Sequence, residues 1–585
     1  MKKGFLILTC ISVFNVFSQK KTTEKAKDTL KTEVVEVVTT YNPKIADANK
    51  ITINPSINLL EKTKKQPLKY TIFSIPVAST FIPKSGVIKG IDVGVREKIY
   101  GNFVAVGFGN YTSPYFETFL HKKTDFQSEF GLSAKHNASY ENIENTVLNS
   151  DFSNSEMSLF YKQDARYFDW KVSVNSERNH YNWYGIDQNY ISNSITRFIN
   201  ERQEYNFFNA IGEMDFLDAY VDKSSLSFSY FNDDFNSKEI LIGLNTDLDI
   251  PTSFLRDNLK IGTRVEYLNG SFGSNYAITN VLNYNFFTVR IAPEYNITYK
   301  DFAIKLGAKI FTSFDGENSI TNFLAYPDMK IQKALLKEYL QFFGGISGDL
   351  KTNSYKDFVD ENPFVSPTMF ITQTAERFNA FVGFNGVLNN TISYTISASF
   401  KNEQDKPLFI KNNSKSDGTT TFSNGIVLRG YEYGNSFGVV YDDVKTTSIF
   451  AELNYEFSKR LNFETHIQFD NYTTSHQNEA WNLPKIQANF MAKYKIEKWY
   501  ATSTLLFVGN RKDIIYTDIF PSTTSTTQSI PSFLDINLNG GYHFNDKFTA
   551  FLKVNNILNS NYQRFANFEV QGFQLLAGVT YKFDF

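Results

Sequence analysis

The sequence predicts an all-β protein: a transmembrane antiparallel β-barrel of about 22 strands, preceded by a short amino-terminal periplasmic, plug-like segment. Three observations point there. The closing segment alternates without a break, with Leu575, Ala577, Val579, Tyr581, Phe583 and Phe585 on one face and Leu576, Gly578, Thr580, Lys582 and Asp584 on the other. Successive strand side chains point to opposite faces, so one side is apolar and the other mostly polar. The connections come in two kinds, tight turns and long polar loops. The composition is aromatic without being greasy: 57 Phe and 34 Tyr among 585 residues, yet only 42% hydrophobic and a mean hydropathy of −0.32. A membrane helix needs about 20 consecutive apolar residues, and no stretch after residue 18 approaches that. Barrel strands hide their apolarity by alternation and place aromatics at the two interfaces.

Taken in order, residues 1–18 read as a secretory signal. Lys2 and Lys3 precede an apolar run from Phe5 to Val13, and Val16-Phe17-Ser18 stand before Gln19. The only cysteine, Cys10, lies in this segment. Only about five apolar residues precede it, short for a lipidation signal. Cleavage after Ser18 leaves a chain without cysteine, which excludes disulfides, thiolate metal sites and cysteine nucleophiles. Residues 19–99 form the periplasmic segment. Its first part is rich in Lys, Thr and Glu, and Pro55, Pro67, Pro76 and Pro83 interrupt the rest.

From about residue 100 to 585 the text is barrel. Phe168, Trp170, Val172 and Val174 alternate with polar residues, as do Phe302, Ile304, Leu306, Ala308 and Ile310, and Ile449, Ala451, Leu453, Tyr455 and Phe457. Met329–Tyr339 is the stretch where helix and strand are hardest to separate. Tight turns fall near 123, 166, 221, 257, 300, 337, 390, 459, 497 and 546; long loops cover 186–201, 352–372, 412–432 and 513–530. Short turns face the periplasm and long loops the outside in bacterial barrels. Ten turns with both ends in the periplasm give eleven hairpins, hence 22 strands. The turns near 221, 257 and 337 carry the weakest signals, and without one or two of them the number is 20 or 18. A soluble propeller or tandem sandwich also has many short strands, but explains neither the turn asymmetry nor a terminal Phe.

The end of the chain carries a resemblance. Leu534-Asp535-Ile536-Asn537-Leu538, Gly541-Tyr542-His543-Phe544 and Val554-Asn555-Asn556-Ile557-Leu558-Asn559 with Tyr562, followed by the last strand, resemble the carboxy-terminal phrase of TonB-dependent receptors. The match is specific over 530–585 and weaker over 100–530. It implies a 22-strand barrel in the outer membrane of a Gram-negative bacterium, nutrient transport without enzymatic chemistry, and TonB and a surface lipoprotein lid as partners. It also implies insertion by the barrel-assembly machinery, for which Val579, Tyr581, Phe583 and Phe585 form the signal. The amino-terminal side departs from the family, whose plug domain exceeds a hundred residues; only about 80 stand here between Gln19 and the first strand. Glu33, Val34, Val35, Glu36, Val37, Val38, Thr39 and Thr40 look like a TonB box, which works by strand addition.

A barrel of this size has a wide lumen that is plugged in known cases. The candidates to fill it are residues 40–99, inward-folded loops such as 352–372, or another protein. Three functions follow: a reduced TonB-dependent transporter, a passive porin-like channel lined by charges such as Lys305, Lys309, Glu452 and Glu456, or a scaffold in envelope assembly docked through Lys62, Lys64, Lys65 and Lys69. Tyr181, Trp183, Tyr184 and Tyr190 either stack on a ligand or belong to the interface girdle. A net charge of −2 offers no basic field for nucleic acid. The six histidines are scattered, no G-x-S-x-G occurs, and the pairs Asp247/Asp249 and Asp442/Asp443 are too few for a dedicated Ca²⁺ site. No cofactor, catalytic residue or metal site is expected, and nothing names the ligand.

Overall fold

The computed structural model describes residues 100–585, except 125, 218, 253–256 and 278–279. The candidate TonB box at 33–40, the basic run at 62–69 and the segment 19–99 lie outside the described residues.

The described chain forms a closed 22-stranded antiparallel barrel. Each strand pairs with its neighbours in sequence, and the ring closes where the first strand, Asn102–Gly109, pairs with the last, Gln574–Phe583, in the register Val104↔Tyr581 and Gly107↔Gly578. Ten connections lie at the end where the first strand starts and the last strand finishes. They fall between Lys123 and Ser128, Asp164 and Phe168, Phe216 and Val221, Ile250 and Leu259, Tyr299 and Phe302, Leu336 and Leu340, Asn389 and Ile392, Ser458 and Leu461, Lys495 and Trp499, and His543 and Phe548. Every turn expected from the sequence is among them, including those near 221, 257 and 337. Met329–Tyr339 is the end of the strand Ile320–Leu336 and its turn.

Alternation sorts the side chains as expected. On the strand Phe437–Ser458, Ile449, Leu453 and Phe457 are exposed on the outer face, while Glu452 between them meets His466 of the next strand at 3.8 Å. On the last strand Leu575, Ala577, Val579 and Tyr581 face outward, and Phe585 is 71% exposed. Aromatics ring the turn end: Phe126, Tyr167, Tyr220, Tyr299, Tyr339, Phe457, Trp499 and Phe544 are all exposed there. Rings pack against one another here at a tilt, Trp499 on Tyr542 at 4.6 Å and Phe548 on Tyr581 at 4.7 Å between ring centres. This is the interfacial girdle of a barrel in lipid.

The inner wall is polar and internally neutralised. Lys305 bridges Glu294 at 2.6 Å and Asp328 at 3.0 Å, and Lys309 meets Asp349 at 2.9 Å. These lysines face the lumen as expected, but each has a carboxylate at hand, so they do not line a bare charged constriction.

The sidedness gives a direct test. Leu453 lies four residues from the girdle residue Phe457, about 10 Å toward the bilayer centre allowing for strand rise and tilt. Leu453→Arg is expected to destabilise the folded barrel by about 2–4 kcal/mol in denaturant titrations from phospholipid vesicles, whereas Glu452→Gln, one residue away on the lumen side, shifts the midpoint far less.

Candidate functional site

Opposite the ten tight turns, eleven loops rise from the ring. Three are short, at 110–112, 234–237 and 316–319, so the long-loop rule describes the end as a whole and not each connection. The longer ones cover the mouth. The loop 183–201 leaves the fifth strand, Phe168–Asn182, and the loop 412–436 leaves the fifteenth, Ile392–Lys411. Ten strands of 22 separate them, almost half the circumference, so they can touch only over the lumen. They do. The Asn435 side-chain amide donates to the Trp183 carbonyl at 2.6 Å, the Tyr190 hydroxyl to the Ser416 carbonyl at 3.1 Å, and the Ser192 amide to the Gly418 carbonyl at 2.8 Å. Gly430 is required by this approach, since a Cβ there would run into the Asn200 carbonyl. Ile186, Ile191, Ile195 and Ile199 pack on Leu428 and Tyr433 beneath the junction.

The loop 353–372 folds inward and forms the centre of the cap, so one of the three fillers considered from the sequence is in place. It carries a seven-residue helix, Tyr355–Glu361, capped by Ser354, whose hydroxyl accepts the Asp357 amide at 3.0 Å. Asp357 in the first turn complements the helix dipole. The helix was missed in the sequence because its two turns are too short to show a stripe. Ser354-x-x-Asp357 before Phe358-Val359 is the start signal that could have revealed it.

Two buried carboxylates latch this helix to the wall. Glu239 accepts the Tyr355 amide at 2.6 Å, the Lys356 amide at 3.2 Å and the Tyr284 hydroxyl at 2.8 Å. Asp233 accepts the Tyr355 hydroxyl at 2.8 Å, and its other oxygen takes the Phe235 and Ser237 amides. The Tyr355 ring packs on Phe231 at 5.1 Å and Phe272 at 4.8 Å. Below the helix, Lys356 joins Glu177 of the wall at 3.1 Å.

Aromatic packing completes the cap. Phe364 stacks on Phe568 of the loop 556–573 at 3.9 Å. Trp183, 1% exposed, donates its indole N–H to the Phe364 carbonyl at 3.1 Å, and Tyr184 donates to the Glu569 carbonyl at 2.7 Å. Trp183 and Tyr184 are therefore neither interface girdle nor a free stacking platform: they are core residues of the cap. Tyr181 packs against the same core, and Tyr190 is exposed. The Asp442 carboxylate is saturated by the His476 and Gln477 amides and the His476 ring, which fixes the loop 475–485. Among the described residues no group of three potential metal ligands gathers.

A two-stranded hairpin, Arg511–Tyr516 with Ser525–Ile530, leans on the cap from the side. The Asp513 carboxylate accepts the Lys411 amide at 3.1 Å, but its second oxygen is buried without a partner. Burial pushes this carboxyl up to about 6, against the pull of its hydrogen bonds and of Lys411.

No family model matches the sequence, and no curated protein matches it. Solved structures do match in fold. The FrpB iron transporter from Neisseria meningitidis superposes with a TM-score of 0.61 at 11% identity, covering 83% of this chain and 82% of that one. The pyoverdine outer membrane receptor FpvA from Pseudomonas aeruginosa gives 0.60 at 12% identity over 83% and 78%. The siderophore receptor PirA from Acinetobacter baumannii gives 0.59 at 11% identity over 82% and 80%. The fold is that of the TonB-dependent receptor barrel. The receptor barrel is an outer-membrane architecture, and the lipid-facing band and aromatic girdle described above are what that location demands.

The latch and the hairpin each give a measurable expectation. Tyr355→Phe removes one hydrogen bond and leaves a buried Asp233 oxygen short of a donor, at a cost of about 1–3 kcal/mol. Amide exchange over 355–361 should accelerate while the unfolding midpoint of the barrel stays put. Asp513 titrates higher in the folded hairpin than its ordinary value of 3.8, so the protonated form is the one that folding favours. Its contribution is fully present below about pH 4 and is lost as pH rises through about 6. Exchange protection of 511–516, corrected for intrinsic rates, should fall over that interval, and Asp513→Asn should flatten the profile.

Proposed function

We propose that this chain is a gated outer-membrane importer. It takes a solute from outside through the capped mouth and is energised from the periplasm by TonB acting on residues 33–40. The single observation that carries this reading is the bridging of the mouth by loops from opposite arcs of the ring. A passive channel needs an unobstructed path, and barrels of 16–18 strands already provide one. A ring of 22 strands under a latched cap suits a solute too large for such a channel, admitted when the cap opens. The neutralised lumen lysines also speak against a charge-selective pore.

The remaining parts take their roles within this scheme. Residues 1–18 are the export signal and 19–99 the periplasmic segment that transmits force. Val579, Tyr581, Phe583 and Phe585, at the seam where the ring closes, guide insertion by the barrel-assembly machinery. The solved neighbours are described as iron transporters and siderophore receptors; import of a scarce solute is the function their shared architecture supports here.

Two measurements test the proposal together. Purified full-length protein in a planar bilayer should show no steady conductance. In cells, deletion of 33–40 should abolish growth on the limiting nutrient while surface abundance is retained. A steady open conductance in the wild type would establish the porin reading instead. Unimpaired nutrient use in the deletion strain would leave a scaffold role as the better account.

A further inference from the structure

Where the cap meets the inner wall lies a cavity of about 570 Å³. Arg511 at the start of the hairpin, the loop 475–485 and the loop 556–573 line it, with Leu506 and Val508 from the wall. Two guanidinium groups, Arg511 and Arg564, share this space. Arg511 is 6% exposed. Its terminal nitrogens donate to the Arg564 and Gln563 carbonyls, and its Nε is buried without a partner. Arg564 is exposed to the cavity, and its hydrogen bond is a long one, 3.5 Å to the Glu361 carbonyl. Among the described residues neither guanidinium has a carboxylate partner at ion-pair distance. The one acidic side chain in the lining is Glu361, and it forms no ion pair with either guanidinium.

The walls around these cations are planar and apolar. Phe533 and Tyr562 stack almost parallel, 4.0 Å apart at 6°. Arg511 lies over the Phe533 ring at 5.5 Å, and Trp481 and Phe565 close the far side. Two like charges held together in a partly dry space raise each other's energy, and a bound anion relieves both. The guanidinium fork matches a carboxylate, and aromatic faces match a flat body. We infer that this cavity is a binding site for a small organic anion, a carboxylate carried on a planar apolar body.

On this assignment the carboxylate lies between the free Nε edge of Arg511 and the head of Arg564, with its body against Phe533, Tyr562 and Trp481. The site rests on the import reading only in being a station between cap and periplasm. Protein that binds the anion but shows no dependence on residues 33–40 keeps the site and loses that reading.

The test is equilibrium binding of 2-naphthoate to the full-length protein in detergent, with neutral 2-naphthamide as the comparison. One saturable naphthoate per chain is expected, with the amide at least about tenfold weaker. Arg564→Gln, at an exposed side chain, should weaken naphthoate about tenfold and leave the amide unchanged. Tyr355→Phe, which loosens the cap, serves as a second background in case access is slow. Absence of saturable binding in both backgrounds overturns the assignment. So does equal affinity for acid and amide, or unchanged naphthoate affinity in Arg564→Gln.

Discussion

In hydrocarbon an unpaired backbone amide has no water to turn to, and each orphan costs several kcal/mol. The seam between Asn102–Gly109 and Gln574–Phe583 is therefore the contact on which the architecture depends. It removes the last free edge of a sheet whose other strands are paired along the sequence. From closure follow the two faces of every strand, the even strand number and the start of the first strand and finish of the last at the turn end. The loops inherit their positions from the ring, so what happens at the mouth is decided by where closure puts their roots.

The cap is a second hydrophobic core, built outside the membrane on different rules. The barrel wall turns its apolar side chains outward to lipid, and the cap turns its own inward against water. Trp183, Phe364, Phe437, Tyr431 and Phe568 are all buried there. The two are joined by polar groups, above all Glu239 and Asp233, which satisfy the start of the helix Tyr355–Glu361 and its tyrosine hydroxyl. That division suits a gate. Packing gives the closed state its shape, while a few hydrogen bonds that can be exchanged for water hold it to the frame.

The barrel was legible in the sequence because its signal is local. A period of two over ten residues, a Phe at the end and a tight turn such as Ser458-Lys459-Arg460 can each be read without knowing what lies across the ring. The cap was not, because its contacts join distant positions. Trp183 finds Phe364 across 181 residues and Tyr184 finds Glu569 across 385. Seen in one dimension, Trp183 is an aromatic near a strand end, where interface girdles also occur. The arginine pair was invisible for the same reason: Arg511 and Arg564 stand on separate loops. Only the capping phrase at Ser354 was within local reach. The width of the lumen called for a filler, but inward folding of 352–372 was only one of three candidates, and no residue pattern singled it out.

The Phe364–Phe568 stack has a mixed parentage. One ring comes from the middle of the chain and the other from the loop just before its last strand, so this stack joins segments about two hundred residues apart. What the outside meets is thus a composite shape stitched from six stretches of chain. Peptides copied from any single stretch would imitate it poorly.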